Sequence, residues 1–250
     1  MKLTTICRIL LLVGLVAGLE ALCLTGVIDK ITMQPPHRIV LDLLKILASG
    51  SLNGAIAKTL GNAALAFALS LVIGVIGAIL LHRFRAVREM LDPLFATYYA
   101  IPIFAFYPLL IILFGLGDAP QIFIGAMLGI VAVIVNTLNG LDRVPTVLMK
   151  TALVNQLGPV EVAWRVTLPY AAPYILTGAK LAVAYSFIGI IGAEFIMSRG
   201  GMGYEISYAY TNFDNATMYP LIVLILLVSI AINTLLARWE KRLMVRRGLR

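Results

Sequence analysis

At 250 residues, 61% hydrophobic and only 13% charged, with a mean hydropathy of +0.97, the chain departs from soluble domains, which average about 45–50% apolar and about 25% charged. It is an integral membrane protein, with room for one bundle of roughly five to seven spans and none for a second soluble domain. The net charge of +8 does not signal nucleic acid: the basic residues gather in Met1–Arg8, His82–Arg88 and Arg238–Arg250, each beside an apolar run, the placement that orients membrane helices.

Six spans are predicted, at 7–28, 59–81, 94–115, 121–140, 172–195 and 217–237, making residues 1–250 a single membrane domain of the all-α class. The first run is too long for the apolar part of a signal peptide and contains Glu20, so it reads as a retained span. Cys7 and Cys23 on that one helix would lie about 24 Å apart and cannot bridge within it. Between the first two spans, Pro35-Pro36 is followed by Ile39, Val40, Leu43, Leu44 and Leu47 at helical spacing. That pattern predicts an interfacial amphipathic helix with Asp42 and Lys45 in water.

The third predicted span holds Pro102 and Pro108, each of which removes a backbone donor. The result is either a kinked packing helix or polar backbone along a pathway with Tyr98 and Tyr99. Asn136 and Asn139, late in the fourth span, are expected to hydrogen-bond between helices. Next comes the longest polar interval, Leu141 to Pro169, with Asp142, Arg143, Lys150, Glu161 and Arg165. Two short helices fit it. One begins at Pro145 and runs toward Gln156, with Gly158 as its stop. The other starts at Pro159, sets Val160, Ala163, Trp164 and Thr167 on one face, and ends at Leu168-Pro169. A helix between spans that shows a tryptophan must bury it on the protein's own spans, in the headgroup layer or on a partner.

In the fifth span Lys180 and Glu194 join Glu20 as charges in a costly place. They suit a proton relay. Equally, Glu20 suits a neutral hydrogen-bonded group, Lys180 snorkelling, and Glu194 the outer end of its span, near enough to Arg199 for an ion pair. The tail Arg238–Arg250 suits anionic lipid. With both termini inside, the cytoplasmic segments collect fourteen Lys and Arg against five in the outer loops, so the opposite orientation is rejected.

The sequence lacks G-x-x-x-x-G-K-[ST], and no Gly is followed directly by Lys, so the chain has no phosphate cradle of its own. Two His and two Cys far apart predict no metal site. Neither G-x-S-x-G nor H-E-x-x-H occurs, which removes the common hydrolase signatures.

The order Lys150-Thr151-Ala152, three residues, Gln156, nine residues, Val166-Thr167-Leu168-Pro169 resembles the cytoplasmic loop of bacterial ABC importer permeases. There the pattern reads Glu-Ala-Ala, three residues, Gly, nine residues, Ile, one residue, Leu-Pro. Ala152, Leu168 and Pro169 match, and Val166 stands in for Ile. Lys150 replaces the acid, and Gln156 replaces the glycine unless Gly158 takes that part. Leu91-Asp92-Pro93, Ala100-Ile101-Pro102, Tyr107-Pro108-Leu109, Asn136-Thr137-Leu138-Asn139-Gly140-Leu141, Pro169 to Ile175, Gly192-Ala193-Glu194 and Gly200 to Tyr204 are similar to the nitrate, sulfonate and taurine branch of that family.

The resemblance implies a polytopic helical bundle of the type I importer kind in the bacterial cytoplasmic membrane. The chain would form the translocation pathway for a small anionic solute and move by alternating access. It would bind no cofactor itself, with ATP and Mg on a separate ATPase partner. Two ATPase subunits, a second permease copy or paralogue, a periplasmic or lipid-anchored substrate-binding protein and the bilayer would be its partners, with no nucleic acid. Ala152, Gln156, Gly158, Pro159, Val160, Ala163, Trp164, Leu168 and Pro169 would couple to the ATPase. Pro102, Asn136, Asn139, Tyr185 and Glu194 would line the pathway or its gate, Glu194 as a structural or gate-lining carboxylate near the outer mouth. The rival from the residues alone is an ion-coupled secondary transporter or channel that needs no ATPase.

Overall fold

The computed structural model describes residues 3–29 and 32–246; the basic residues Lys2 and Lys30 and the tail from 247 to 250 lie outside them. The described residues form helices and turns with no strand. The first apolar run folds as α1 (Leu3–Leu24), which begins and ends four residues earlier than the expected 7–28; Gly26, at φ 78°, turns the chain away just after its end. α2 (Pro36–Ser49) opens with proline in its first turn and ends on Gly50 at φ 66°. Its apolar residues divide between two faces. Ile39 and Leu43 are buried, Leu43 in a core with Leu221 and Leu224, whereas Val40, Leu44 and Leu47 point outward. Lys45 and Asp42 pair at 2.8 Å.

The centre of the molecule is three long helices: α3 (Asn53–Arg83), α6 (Asp118–Leu141) and α9 (Leu168–Met197). They meet through small residues. A Cβ on Gly129 of α6 would lie 2.5 Å from Ser70 Oγ of α3, and one on Gly189 of α9 would lie 2.7 Å from Gly125 Cα of α6. Lipid tails are as apolar as leucine, so helices in a bilayer gain little from burying apolar surface against each other. They associate through close backbone approach and interhelical hydrogen bonds instead. Ser70 supplies such a bond, donating within α3 to Ala66 O at 2.8 Å or across to Ala126 O of α6 at 3.0 Å.

The expected third span, 94–115, is not one helix. α4 (Arg85–Thr97), short 3-10 turns at Tyr98–Ala100 and Ile103–Phe106, and α5 (Tyr107–Phe114) replace it, with a 95° bend between the halves. Pro102 is the cause. It cannot donate, and it pushes Ile101 into extended backbone at φ −77°, ψ 126°. Pro108 breaks nothing, because it occupies the first turn of α5, where its missing N–H has no helical partner. Arg88 lies beside Asp142 at the C-terminal end of α6, while the Phe114 ring lies 5.4 Å from that of Phe123 near the N-terminal end. The broken pair therefore runs the length of α6, and counted as one span it brings the candidate crossings among the described residues from five to six.

Short α7 (Thr146–Val154) and α8 (Pro159–Val162) sit at one end of the bundle, here the loop end. α2 and α10 (Met202–Thr211) lie at the far end, and α11 (Asn215–Arg246) closes the bundle. α1 is nearly unpartnered: Leu10, Leu12 and Leu15 are each more than 60% exposed. What ties it down is Glu20, whose carboxylate meets His37 Nδ1 at 2.5 Å and accepts the His37 backbone N–H at 3.1 Å, capping the first turn of α2.

Candidate functional site

At the loop end, α7 starts one residue after the expected Pro145, which serves as its N-cap. Its C-terminus is closed by two bonds, Leu157 N–H to Ala152 O at 3.1 Å and Gln156 N–H to Leu153 O at 3.0 Å. This is the Schellman arrangement, which places one residue in the left-handed region. That residue is Gln156, at φ 55°, while Gly158 is in ordinary extended backbone at φ −68°. Gln156 thus fills the glycine position of the loop pattern, and Gly158 acts as the N-cap of α8 rather than as the stop of α7. Ala152 is buried and holds α7 to the bundle.

α8 begins at Pro159 as expected, with Glu161 in its first turn paired to Arg165 at 3.3 Å. It does not end at Leu168-Pro169. The chain continues through a π-turn, Ala163–Thr167, directly into α9, with Leu168 N–H bonded five residues back to Ala163 O. Proline inside an α-helix removes one bond and strikes the carbonyl four residues earlier; one extra residue in the turn moves that carbonyl away. The pattern of Leu-Pro as a stop therefore fails here, and the segment from Pro159 to Thr167 runs without a break into a core helix.

The loop leaves a broad apolar surface uncovered. Val160 and Trp164 are 72% and 70% exposed, and on α7 Leu153 and Val154 are 72% and 82% exposed, while Ala163 and Leu168 are half-buried. Behind this surface Leu148, Ala152, Leu157, Val166, Pro169 and Tyr170 line a cleft of about 510 Å³. At the root of the loop, Arg88 of α4 donates to both oxygens of Asp142, at 2.8 and 2.7 Å, and His82 Nδ1 stands 3.3 Å from the same carboxylate. The Arg88 guanidinium holds the Asp142 carboxyl below the ordinary aspartate range. Next to it, Arg143 donates to Tyr174 OH at 3.1 Å and lies 5.4 Å from the centre of that ring.

The residues expected along a pathway do not form one group. Tyr185 stacks on Tyr99 with ring centres 4.9 Å apart; Tyr98 meets Tyr99 edge-on and donates to Met127 O at 2.9 Å. Pro102 is exposed at the adjoining break. Asn136 donates to Ala132 O of its own helix at 2.8 Å, so the expected bond between helices is absent from its described contacts. Asn139 is exposed and lines a cavity of about 250 Å³ with Arg88, Asp92 and Phe95, toward the loop end.

Glu194 lines no open surface: it is wholly buried. It accepts the Thr59 hydroxyl of α3, with Oγ1 at 2.9 and 2.7 Å from its two oxygens, and the Gly203 N–H at 3.0 Å, and Thr59 Oγ1 in turn accepts Met202 N–H at 2.7 Å. It is a cap for α10 supplied by α9, which favours a negative group at that N-terminus. Gly201, at φ 107°, allows this approach, since a Cβ there would overlap the carboxylate. The expected Arg199 pair is not among the described contacts, and Arg199 is exposed.

Lys180 pairs with Glu240 of α11. Glu20, Lys180 and Glu194 thus have separate partners and make no chain. Among the described residues no cluster of His, Cys, Asp and Glu is arranged for a metal. Reasoning from the sequence missed Thr59, His37, Glu240 and the Arg88–Asp142 pair. Of these, only Asp142 stood out, as a polar residue at the start of the loop.

The profile of the family described as binding-protein-dependent transport system inner membrane component matches residues 70–246. The chain is 28% identical over 219 residues to a putative aliphatic sulfonates transport permease protein, SsuC, of Bacillus subtilis, covering 88% of this chain and 79% of that one. It is 28% identical over 180 residues to the nitrate import permease protein NrtB of Leptolyngbya laminosa, covering 72% and 64%. Its fold is similar to that of a chain in an inward-facing structure of the MetNI methionine ABC transporter, with a TM-score of 0.65 at 18% identity, covering 76% of this chain and 95% of that one. Five to six candidate crossings, an apolar face left bare at the loop end and a match over residues 70–246 agree: the chain belongs to the binding-protein-dependent transport system inner membrane components.

Proposed function

We propose that this chain is the pathway-forming subunit of an ATP-driven importer for a small anionic solute. In this reading it pairs with a second permease copy or paralogue, takes cargo from a substrate-binding protein, and is driven by two ATPase subunits docked at the loop end. The observation that carries it is the exposed face of Val160 and Trp164 with Leu153 and Val154 beside it. Large aromatics dominate protein interfaces, and this face continues into α9, so a push on it is a push on the core. An anionic cargo is supported by the sulfonate and nitrate named for two relatives. The positive-inside rule puts the loop end, and both termini, in the cytoplasm. In this reading cargo selection falls largely to the binding protein.

The ion-coupled alternative finds its three membrane charges already engaged, Glu20 with His37, Lys180 with Glu240 and Glu194 with Thr59. Trp164→Glu tests the proposal. A charge in a desolvated contact costs several kcal/mol, so the ATPase subunit should be lost from the purified complex, or hydrolyse without moving the spans, while the chain folds and inserts normally. A well-folded Trp164→Glu complex that retains the ATPase and its nucleotide-driven conformational change would defeat the coupling assignment. For orientation, single cysteines at Asn212 and Gly158, in a chain without Cys7 and Cys23, should label oppositely with a membrane-impermeant thiol reagent on intact cells.

A further inference from the structure

α4 is an arm between two hinges. Phe84, at φ −107° and ψ 77°, separates it from α3, and the 95° break at Ile101-Pro102 separates it from α5. None of its residues is wholly buried, and its apolar anchorage is slight: Phe95 leans on the small cluster of Ala78, Ile134 and Leu138. At one end the Tyr98 hydroxyl holds Met127 O, and the Tyr99 ring lies on Tyr185. At the other end the parallel bonds from Arg88 to Asp142 are the arm's strongest tie. Asp142 follows directly on α6 and stands three residues before Pro145, the N-cap of α7.

A two-pronged guanidinium-carboxylate pair fixes direction as well as distance, unlike a point contact. Its side chains are 24% and 38% exposed, so solvent screens it less than a free surface pair. The charged neighbours are His82 on the same carboxylate, Asp92 at 3.9 Å from Arg88 Nε, and Arg85 paired with Glu89 on the outer side of α4. The geometry points to Arg88 as a positioning residue: through Asp142 it links the coupling loop to the broken third span, so that displacement of α7 and α8 swings α4 and opens or closes the tyrosine cluster at its far end. This rests on the reading that the loop end receives the ATPase. A two-state element biased from a distant site is the general device.

The test needs no knowledge of the cargo. In the complete complex with its ATPase, and in a chain lacking Cys7 and Cys23, Ile101→Cys places a thiol at the break, where the native side chain is 41% exposed. Its rate of reaction with N-ethylmaleimide is compared without nucleotide and with ATP and vanadate. The parent complex should show at least a fivefold difference. Arg88→Ala and Asp142→Ala should each bring the ratio to about one while the ATPase still co-purifies and hydrolyses ATP, and the double variant should be no worse than either alone. Arg88→Lys, which keeps the charge without the fork, should give an intermediate ratio; it also serves if Arg88→Ala fails to fold. A full nucleotide response in Arg88→Ala, an additive loss in the double variant, or no response in the parent would overturn the joint. Trp164→Glu separates the two ideas: if it keeps the response, the coupling reading fails, whereas if it loses the response and Arg88→Ala keeps it, only the joint fails.

Discussion

Gln156 holds a left-handed conformation at φ 55°, which costs a residue with a side chain about 1–2 kcal/mol, part of which glycine would give back as chain entropy when unfolded. Gln156→Gly should therefore stabilise the detergent-solubilised protein by about 0.5–1 kcal/mol, seen as a higher thermal midpoint, and Gln156→Val should lower it. The reverse order would mean that the Gln156 side chain makes contacts that outweigh its backbone. Glu194 presents the opposite case, a residue whose environment was built around it. Glu194→Ala leaves the Thr59 hydroxyl and the Gly203 N–H buried without their acceptor, at about 1–3 kcal/mol for each orphaned group. The thermal midpoint should drop sharply, and α10 amides should exchange hydrogen faster. An α10 exchange rate equal to the parent's would show that the cap is dispensable.

Among the elements, the continuous α8, π-turn and α9 carries most of the mechanical argument. Pro169 enforces the extra residue in that turn, and each residue of an α-helix turns its successor by about 100°. Pro169→Ala restores the missing donor and lets the ladder close at four residues, rotating Trp164 off its present face. The expected result is a thermal midpoint unchanged or raised, together with at least tenfold weaker retention of the ATPase subunit. Retention at the parent level would show that the π-turn does not set the direction of the face. The break at Pro102 follows the same backbone chemistry with another outcome, because there no extra residue absorbs the proline and the helix bends instead.

For the molecule as a whole, stability rests on how closely α3, α6 and α9 approach. Gly129→Val would drive side-chain atoms into Ser70 and Ser186, and overpacking of this kind costs about 1–3 kcal/mol or more. It should lower the thermal midpoint of the entire bundle, whereas Gly14→Val on α1, with nothing within 4 Å, should leave it unchanged. Equal effects at the two sites would remove the small-residue interface as the organising contact. The near absence of packing on α1, tied by Glu20 to His37, fits a helix whose apolar surface faces lipid or another chain.

The sequence by itself determined the membrane class, the helical architecture, the amphipathic α2 and the apolar face around Trp164. Those follow from local composition and periodicity, which a single stretch of chain displays in full. It also showed where proline would matter at Pro102, but not that Pro108 would be harmless or Pro169 absorbed, since both depend on which turn the proline falls in. The tertiary structure alone decided the partners of the charges. Arg88 and Asp142 are separated by 54 residues, Thr59 and Glu194 by 135, and Lys180 and Glu240 by 60, and no spacing rule connects such pairs. A charge in a membrane helix announces only that it needs a partner; which residue answers is set by how the helices are laid against one another, and of the structural and gate-lining roles open to Glu194 that arrangement gives it the structural one, as the buried cap of α10.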